Sequence, residues 1–221
     1  MDGLTLAMDA AAGAGTLALV RNDVVIAERT VVMRSEADER FLPAVIALLA
    51  EARVALQECA RIVCGGGPGS FTSLRVVGAA AKGLAQGAGL PLFAVPSLAL
   101  IVAGTESTRG ARGSWLATLD AMREERYVAR ITIGANGEVA TYEALGLAPA
   151  HEIAARAAAL HATAIGPQEA VTATPHARGV ARASALIAAA GAVDLATWEP
   201  VYGRLAEAQV KWEAAQGRPL G

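Results

Sequence analysis

Aromatic residues make up only 4% of this 221-residue chain, so any core has to be assembled from Ala, Val, Leu and Ile. With 54% hydrophobic and 18% charged residues, the composition is that of a folded protein, not a disordered tail. Long apolar runs are missing: Arg53, Arg61 and Arg75 interrupt the candidates, and none reaches the ~18 to 20 residues of a membrane span. The opening Met1-Asp2-Gly3-Leu4 carries an acid where a secretory leader has a basic region, so no signal peptide is expected and the cytoplasm is the expected compartment. The cysteines Cys59 and Cys64 form no CxxC pair, which argues against a disulfide framework; Cys64 closes an apolar run and reads as a buried small hydrophobe. Basic runs are missing too, and the net charge is −2. A chain that grips nucleic acid alone carries a basic stripe, so if RNA is involved another subunit supplies most phosphate contacts.

The residues that are present fall into a regular order. Leu4 to Met8 and Thr16 to Val20 are short apolar runs split by the small-residue turn Ala10 to Gly15. Val24 to Met33, rich in β-branched residues, follows a second turn at Arg21-Asn22-Asp23. Ser35 and Asp38 have the spacing of a capping box, which predicts a helix from near Ser35. Phe41, Val45, Leu48, Leu49 and Ala52 recur at helical spacing to about Arg53, and Pro43 should kink this helix or shift its start. Next come a strand at Arg61 to Cys64, a glycine loop at Gly65 to Gly69, a helix from about Phe71 to Gly87, a strand at Leu92 to Val95, and a helix capped by Ser97 that ends before Gly104. Three strands, helix, strand, helix, strand, helix is the element order of a ribonuclease-H-like domain.

Thr105 to Gly113 reads as a linker, after which the order begins again. Strands are expected at Trp115 to Asp120, Tyr127 to Ile133 and, past an Asn136-Gly137 turn, Val139 to Glu143. A helix at about His151 to Leu160, a strand at Thr163 to Ile165, and helical patterns at Ala181 to Ala190 and Tyr202 to Trp212 follow. Two such lobes in tandem make an actin-like α/β architecture, with residues 1–104 as the first lobe and 105–221 as a smaller second one. A terminal helix at about 202–214 would be able to pack back on the first lobe. The halves share no visible sequence repeat.

The most informative segment is Gly65-Gly66-Gly67-Pro68-Gly69-Ser70-Phe71-Thr72-Ser73-Leu74-Arg75. Glycines between a strand and a helix permit positive φ and close backbone approach; Ser70 can cap the helix, whose first amides suit an anion. No Lys-Ser/Thr pair follows the glycines, so the Walker spacing fails, and the dinucleotide pattern fails as well. Asp9, at the end of the first strand, could hold a metal-bound water or anchor a two-metal nuclease site. The fourth strand offers Ile62, Val63 and Cys64 in place of further carboxylates, and Ala10 to Ala14 offers few hydroxyls for a phosphate. A polar role in an assembled complex, or a structural hydrogen bond at a strand end, remains for Asp9. His151 and His161 flank an Ala-rich helix and read as solvated, and no GxSxG elbow points to a protease. Asp120, Arg123, Glu124 and Glu125 read as a solvated corner. Leu74, Val77, Gly78, Ala81 and Ala85 give the second helix a small-residue face, with Gly83 and Gly87 nearby. Such a face suits either a partner helix or the chain's own sheet.

The glycine segment resembles the GPGSFTGLR signature of the TsaB/YeaZ family, with Ser73 where the family usually has glycine. Leu6-Ala7-Met8-Asp9 resembles its opening LAIDTS strand, Glu39-Arg40-Phe41-Leu42-Pro43 its HSERLLP, and Ala81-Lys82-Gly83-Leu84-Ala85 continues the second helix as the family does. Leu119 to Tyr127 resembles LDARRGEVY, and Glu199 to Arg204 resembles the terminal PVYLR. Ala10 replaces the family's hydroxyl, and a histidine is lost near Ala37. The resemblance implies a subunit that is not an enzyme by itself, with no metal or cofactor of its own, ATP and metal being used by partners. It implies pairing with TsaD through the two long helices, homodimers when TsaD is absent, the ATPase partner TsaE, and contact with tRNA only through the complex. None of the three histidines forms the HxxxH pair of TsaD. The chemistry so implied is transfer of threonylcarbamoyl to N6 of adenosine 37 in tRNAs reading ANN codons. The docking candidates are Phe41, Val45, Leu49, Leu74, Val77, Gly78, Ala81 and Lys82. The competing reading is a stand-alone actin-like ATPase or small-molecule kinase.

Overall fold

A computed structural model describes residues 2–33 and 40–203; the capping box at Ser35 and Asp38, the position of Ala37 and nearly all of the expected terminal helix lie outside them. The first lobe is a five-stranded sheet, ordered β3-β2-β1-β4-β5, of β1 (Leu4–Asp9), β2 (Ala14–Arg21), β3 (Val24–Val32), β4 (Cys59–Gly65) and β5 (Leu92–Val95). The pairs β1–β2 and β2–β3 are antiparallel, and β1–β4 and β4–β5 parallel. β1 is buried at every position, as a central strand covered on both faces must be. The second lobe uses β6 (Gly113–Asp120), β7 (Glu125–Ile133), β8 (Val139–Pro149), β9 (Ala162–Gly166) and β10 (Val171–Thr172), ordered β10-β9-β6-β7-β8. Its pairings repeat the first lobe's pattern, antiparallel for β6–β7 and β7–β8 and parallel for β6–β9 and β9–β10. Met8 pairs with Cys64 as Ala117 pairs with Ile165, so Asp9 and Gly65 occupy the places that Thr118 and Gly166 hold in the second lobe. The fold is therefore the tandem ribonuclease-H-like, actin-like arrangement that the element order implies.

Helices α1 (Phe41–Glu51) and α2 (Phe71–Ala88) cover one face of the first sheet, where Phe41, Val45, Leu48, Val77 and Ala81 share a core with Leu6, Met8, Leu17 and Ile62. Pro43 sits in the first turn of α1, where a backbone N–H has no intrahelical acceptor, so the helix needs no kink there. α2 closes on Gly89 at φ +65°, with Leu90 N–H donating back to Ala85 O at 2.9 Å.

All eight residues of α3 (Ser97–Gly104) are buried. Leu100 joins Ala7, Val20 and Val63 of the first sheet, while Leu98, Ile101 and Val102 join Trp115, Ala117 and Ile131 of the second. A helix that is apolar all round belongs in an interior, and here that interior lies between two sheets. Past α4 (Ile153–Ala159) and β10, the chain returns to the first lobe well upstream of the helix expected at 202–214. Ala177 and Val180, in the 3-10 turn Ala177–Arg182, and Ile187 in α5 (Ser184–Ala190) share a core with Ala7, Ala18 and Val95. Gly179 makes this crossing possible, because a Cβ there would stand 2.9 Å from Gly104 N.

The stretch read as a linker is structured. It forms a 3-10 turn at Glu106–Thr108 with Thr108 buried, and Arg182 clamps it. The guanidinium donates to Ala103 O (3.2 Å), Thr105 O (3.3 Å), Thr108 O (2.9 Å), Thr108 Oγ1 (3.0 Å) and, across the second lobe, Gly137 O (2.6 Å). Replacing Arg182 by Met removes all five bonds, although Thr105 O and Thr108 O keep backbone donors from Thr108 and Ala111, and should cost about 2–4 kcal/mol, read as a lower urea midpoint at unchanged m. Arg182→Lys should recover only a minor part, because an ammonium cannot span the acceptors that the planar fork reaches.

Candidate functional site: the glycine loop and the cleft between the lobes

β1 delivers Asp9 to a sealed position, 1% exposed, beside the end of β4. Its Oδ1 accepts from Ala11 N at 2.9 Å and its Oδ2 from Ser97 Oγ at 2.5 Å. Ser97 Oγ in turn accepts from Gly67 N at 3.0 Å, so one hydroxyl joins the strand-end carboxylate to the glycine loop. Ser97 is thus the first residue of α3 and spends its side chain on this chain of hydrogen bonds, where a helix cap was expected. Burial pushes the Asp9 carboxyl above its ordinary range although the bonds from Ser97 and Ala11 pull it down. Burial, and then the nearby Asp9, push the Cys64 thiol up as well.

The glycines have separate tasks. A Cβ on Gly65 would stand 1.8 Å from Asp9 Oδ2, one on Gly67 (φ +85°) 2.2 Å from Val201 O, and one on Gly69 (φ +158°) 2.3 Å from Ala11 O. The Gly67–Pro68 peptide is cis. Ser70 N donates to Ala11 O at 2.7 Å, so an amide at the head of α2 that could face an anion faces the β1–β2 turn instead. Ser70 Oγ caps nothing; it donates to Ser73 Oγ at 3.1 Å. Thr72 and Arg75 face solvent, with the Arg75 guanidinium 5.4 Å from the centre of the Phe71 ring.

Residues 194–203 form a strap over this loop that sequence reasoning did not place. Val201 N donates to Gly66 O (2.8 Å) and Lys82 Nζ to Trp198 O (2.9 Å). Pro200 lies where a side chain on Gly78 would be, Tyr202 packs on Phe71 at 4.7 Å between ring centres, and Tyr127 Oη donates to Tyr202 O (3.3 Å). Between the strap, the loop and the β7–β8 face of the second lobe lies a cavity of about 520 Å³, bounded by Gly67, Pro68, Val95, Tyr127, Tyr142 and Trp198 among others. Among the described residues, no acidic or basic side chain lines it.

The docking candidates divide. Phe41, Val45, Leu74, Val77 and Ala81 are at most 1% exposed and belong to the chain's own cores; Leu49 is half-buried against the same core. Gly78 and Lys82 are engaged by the strap. The small-residue face of α2 is therefore the face it turns to its sheet and strap, and these residues do not form the outward surface. That surface is made by their neighbours, Leu42 (40% exposed) and Ile46 (68%) on α1 and Val76 (39%) on α2, with exposed Ala79 and Gly83. His151 and His161 are exposed, as read; His176 Nδ1 accepts from Arg178 N at 3.1 Å, and burial, then Arg178, lower its pKa. The corner after β6 is held by Asp120 Oδ1, which accepts from Met122 N (3.2 Å) and Arg126 Nη1 (3.0 Å).

A family model described as TsaD, tRNA N6-adenosine threonylcarbamoyltransferase, matches residues 32–194. The chain belongs to this family, in its TsaB/YeaZ branch. The Escherichia coli protein TsaB is 36% identical over 132 residues, covering 60% of this chain and 56% of that one. An uncharacterized protein of Mycobacterium tuberculosis is 37% identical over 131 residues, covering 58% and 59%. The chain spans about half the length of the curated relatives it matches. A solved Pseudomonas aeruginosa structure described as similar to the peptidase YeaZ shares 27% identity at a TM-score of 0.75, over 92% of this chain and 100% of that one. In this TsaB/YeaZ chain the family's signature string is the seat of the strap, and Ser73, where the family usually has glycine, is 7% exposed and bonded to Ser70.

Gly65→Ala should destabilise the fold by about 3 kcal/mol, because the methyl meets a carboxylate oxygen that cannot retreat. Adding Asp9→Ala to that variant should restore part of the loss, which melting curves of the two variants will show. The sign of the pH effect follows from Asp9's raised pKa: the fold holds the proton more tightly than the unfolded chain, whose value is near 3.8. Its contribution is full below that value and is lost as pH rises through the folded pKa. Urea stability of the wild type relative to Asp9→Asn should therefore fall as pH is raised from about 4 to 7; a constant difference would mean that Asp9 titrates normally.

Proposed function

We propose that this chain is a non-catalytic partner subunit in the formation of N6-threonylcarbamoyladenosine at position 37 of tRNAs reading ANN codons. It pairs with TsaD, works with TsaE, forms homodimers when TsaD is absent, and meets tRNA only within the complex; ATP and metal are used by the partners. The observation that carries the reading is that the chain itself occupies the two groups that could hold a metal or a phosphate, the strand-end carboxylate and the amide at the head of α2. Asp9 is sealed with both oxygens bonded, and the α2 amide next to the glycine loop is taken by Ala11. The stand-alone ATPase or kinase needs donors for phosphate, and the apolar lining of the cleft between the lobes favours no charged substrate.

What such a subunit offers is surface. α1 carries no charged side chain between Phe41 and Ala50, and its outward Leu42 and Ile46 lie on the same side of the sheet as Val76, Ala79 and Gly83 of α2. Small residues let a partner helix come close, and the large apolar ones supply the anchors; a specific interface needs about 1,600 Å² in total.

Ile46→Glu and Val76→Glu should each weaken TsaD binding by at least about 100-fold, since each buries a charge at the centre of the contact, while leaving the melting temperature unchanged. In a reconstituted reaction with TsaD, TsaE and the adenylate-making enzyme, both variants should abolish tRNA modification. Wild-type binding by both variants would place the partner elsewhere, and ATP turnover by the isolated chain would overturn the non-catalytic reading.

A further inference from the structure

We propose that the cleft between the lobes is a binding site for a small, uncharged, planar heteroaromatic molecule. The cavity, about 520 Å³, falls within the roughly 300–1,000 Å³ of small-molecule sites. Its lining, among the described residues, holds neither acid nor base, so a charged ligand would give up its hydration with no compensating partner, whereas a neutral one would not. Three rings stand in a lining otherwise made of Gly, Pro and aliphatic residues. Tyr127 and Tyr142 come from the second lobe and Trp198 from the strap, and rings of this kind favour flat partners that stack or meet them edge-on.

Two polar handles remain on those rings. Neither the Tyr142 hydroxyl nor the Trp198 indole nitrogen has a hydrogen-bond partner among the described residues, and both residues line the cavity. Burial pushes the Tyr142 phenol up, which keeps it a neutral donor near neutral pH. Both residues are only partly buried, so a ring nitrogen or carbonyl of the ligand would take the place of water on these two donors. The walls are already fixed before any ligand arrives: Val201 is tied to Gly66 and Trp198 to Lys82 through the strap's backbone, and Tyr127 to Tyr202. A site preorganised in this way loses little entropy on binding. Leu42, Ile46 and Val76 do not line this cavity, so the proposal stands apart from the docking assignment.

Saturation-transfer NMR on the 221-residue chain with two probes, quinoline and indole, tests it. Submillimolar binding of quinoline to the wild type is expected. It should weaken at least tenfold in Ala144→Trp and in Leu147→Trp, two exposed cleft positions on β8 where a large ring fills the space without entering the core. Circular dichroism and melting confirm that at least one of the two remains folded. Tyr142→Phe should weaken quinoline, an acceptor, several-fold more than indole, which only donates. Absence of binding by both probes, or binding unchanged in both tryptophan variants, overturns the proposal, and an equal effect of Tyr142→Phe on the two probes overturns the part assigned to the hydroxyl.

Discussion

The structure hangs on α3, a helix with no exposed face. One side of it belongs to the core of the first sheet and the other to the core of the second, so the two lobes share a buried layer and cannot part without exposing it. Its first residue, Ser97, also carries the hydrogen bonds that run from Asp9 to the glycine loop. The Arg182 clamp and the crossing of Gly104 by Gly179 reinforce the same junction from behind. The two lobes are thus joined by a packed helix.

That junction explains what the glycines are for. A glycine string between a strand and a helix is compatible with an anion cradle, and sequence gives no means of telling a phosphate from a peptide backbone. In this chain the neighbours are a carboxylate oxygen at Gly65, the Val201 carbonyl at Gly67 and the Ala11 carbonyl at Gly69. All three are negative ends of dipoles or charges; Ser70 N answers the Ala11 carbonyl and the Ser97 hydroxyl answers Asp9, while Gly66 and Gly67 amides bond Val95 O and Ser97 Oγ. The physical features that make such a loop attractive to a ligand are satisfied by the chain itself.

The helices show a related shift. Heptad-like spacing finds the apolar face of α1 and α2 without difficulty, and Phe41, Val45, Val77 and Ala81 do form one face. Periodicity identifies a face, but not what it meets. The buried face is the sheet-facing one, and the outward surface is made by adjacent residues, Leu42 and Ile46 on α1 and Val76 on α2. A large exposed isoleucine beside small residues is a stronger sign of docking than a stripe of alanine, because burial in the monomer already accounts for the stripe.

Most of the strand and helix order was legible in the chain: β5 at Leu92–Val95 and the starts of α2 and α3 follow from runs of apolar residues bounded by Gly, Pro and Ser. β10, with two residues, leaves no pattern to read, and β8 runs on to Pro149 because pairing with β7 holds residues that local preference does not mark. The sequence by itself determined the two-lobe architecture and the family, since both are written in local order and in one short string. Tertiary structure alone decided that Asp9 is sealed, that the strap closes on the loop and that α2 turns its small residues inward. Those outcomes depend on contacts such as Lys82 with Trp198 and Asp9 with Ser97, between groups far apart along the chain, and no local propensity encodes which distant group arrives.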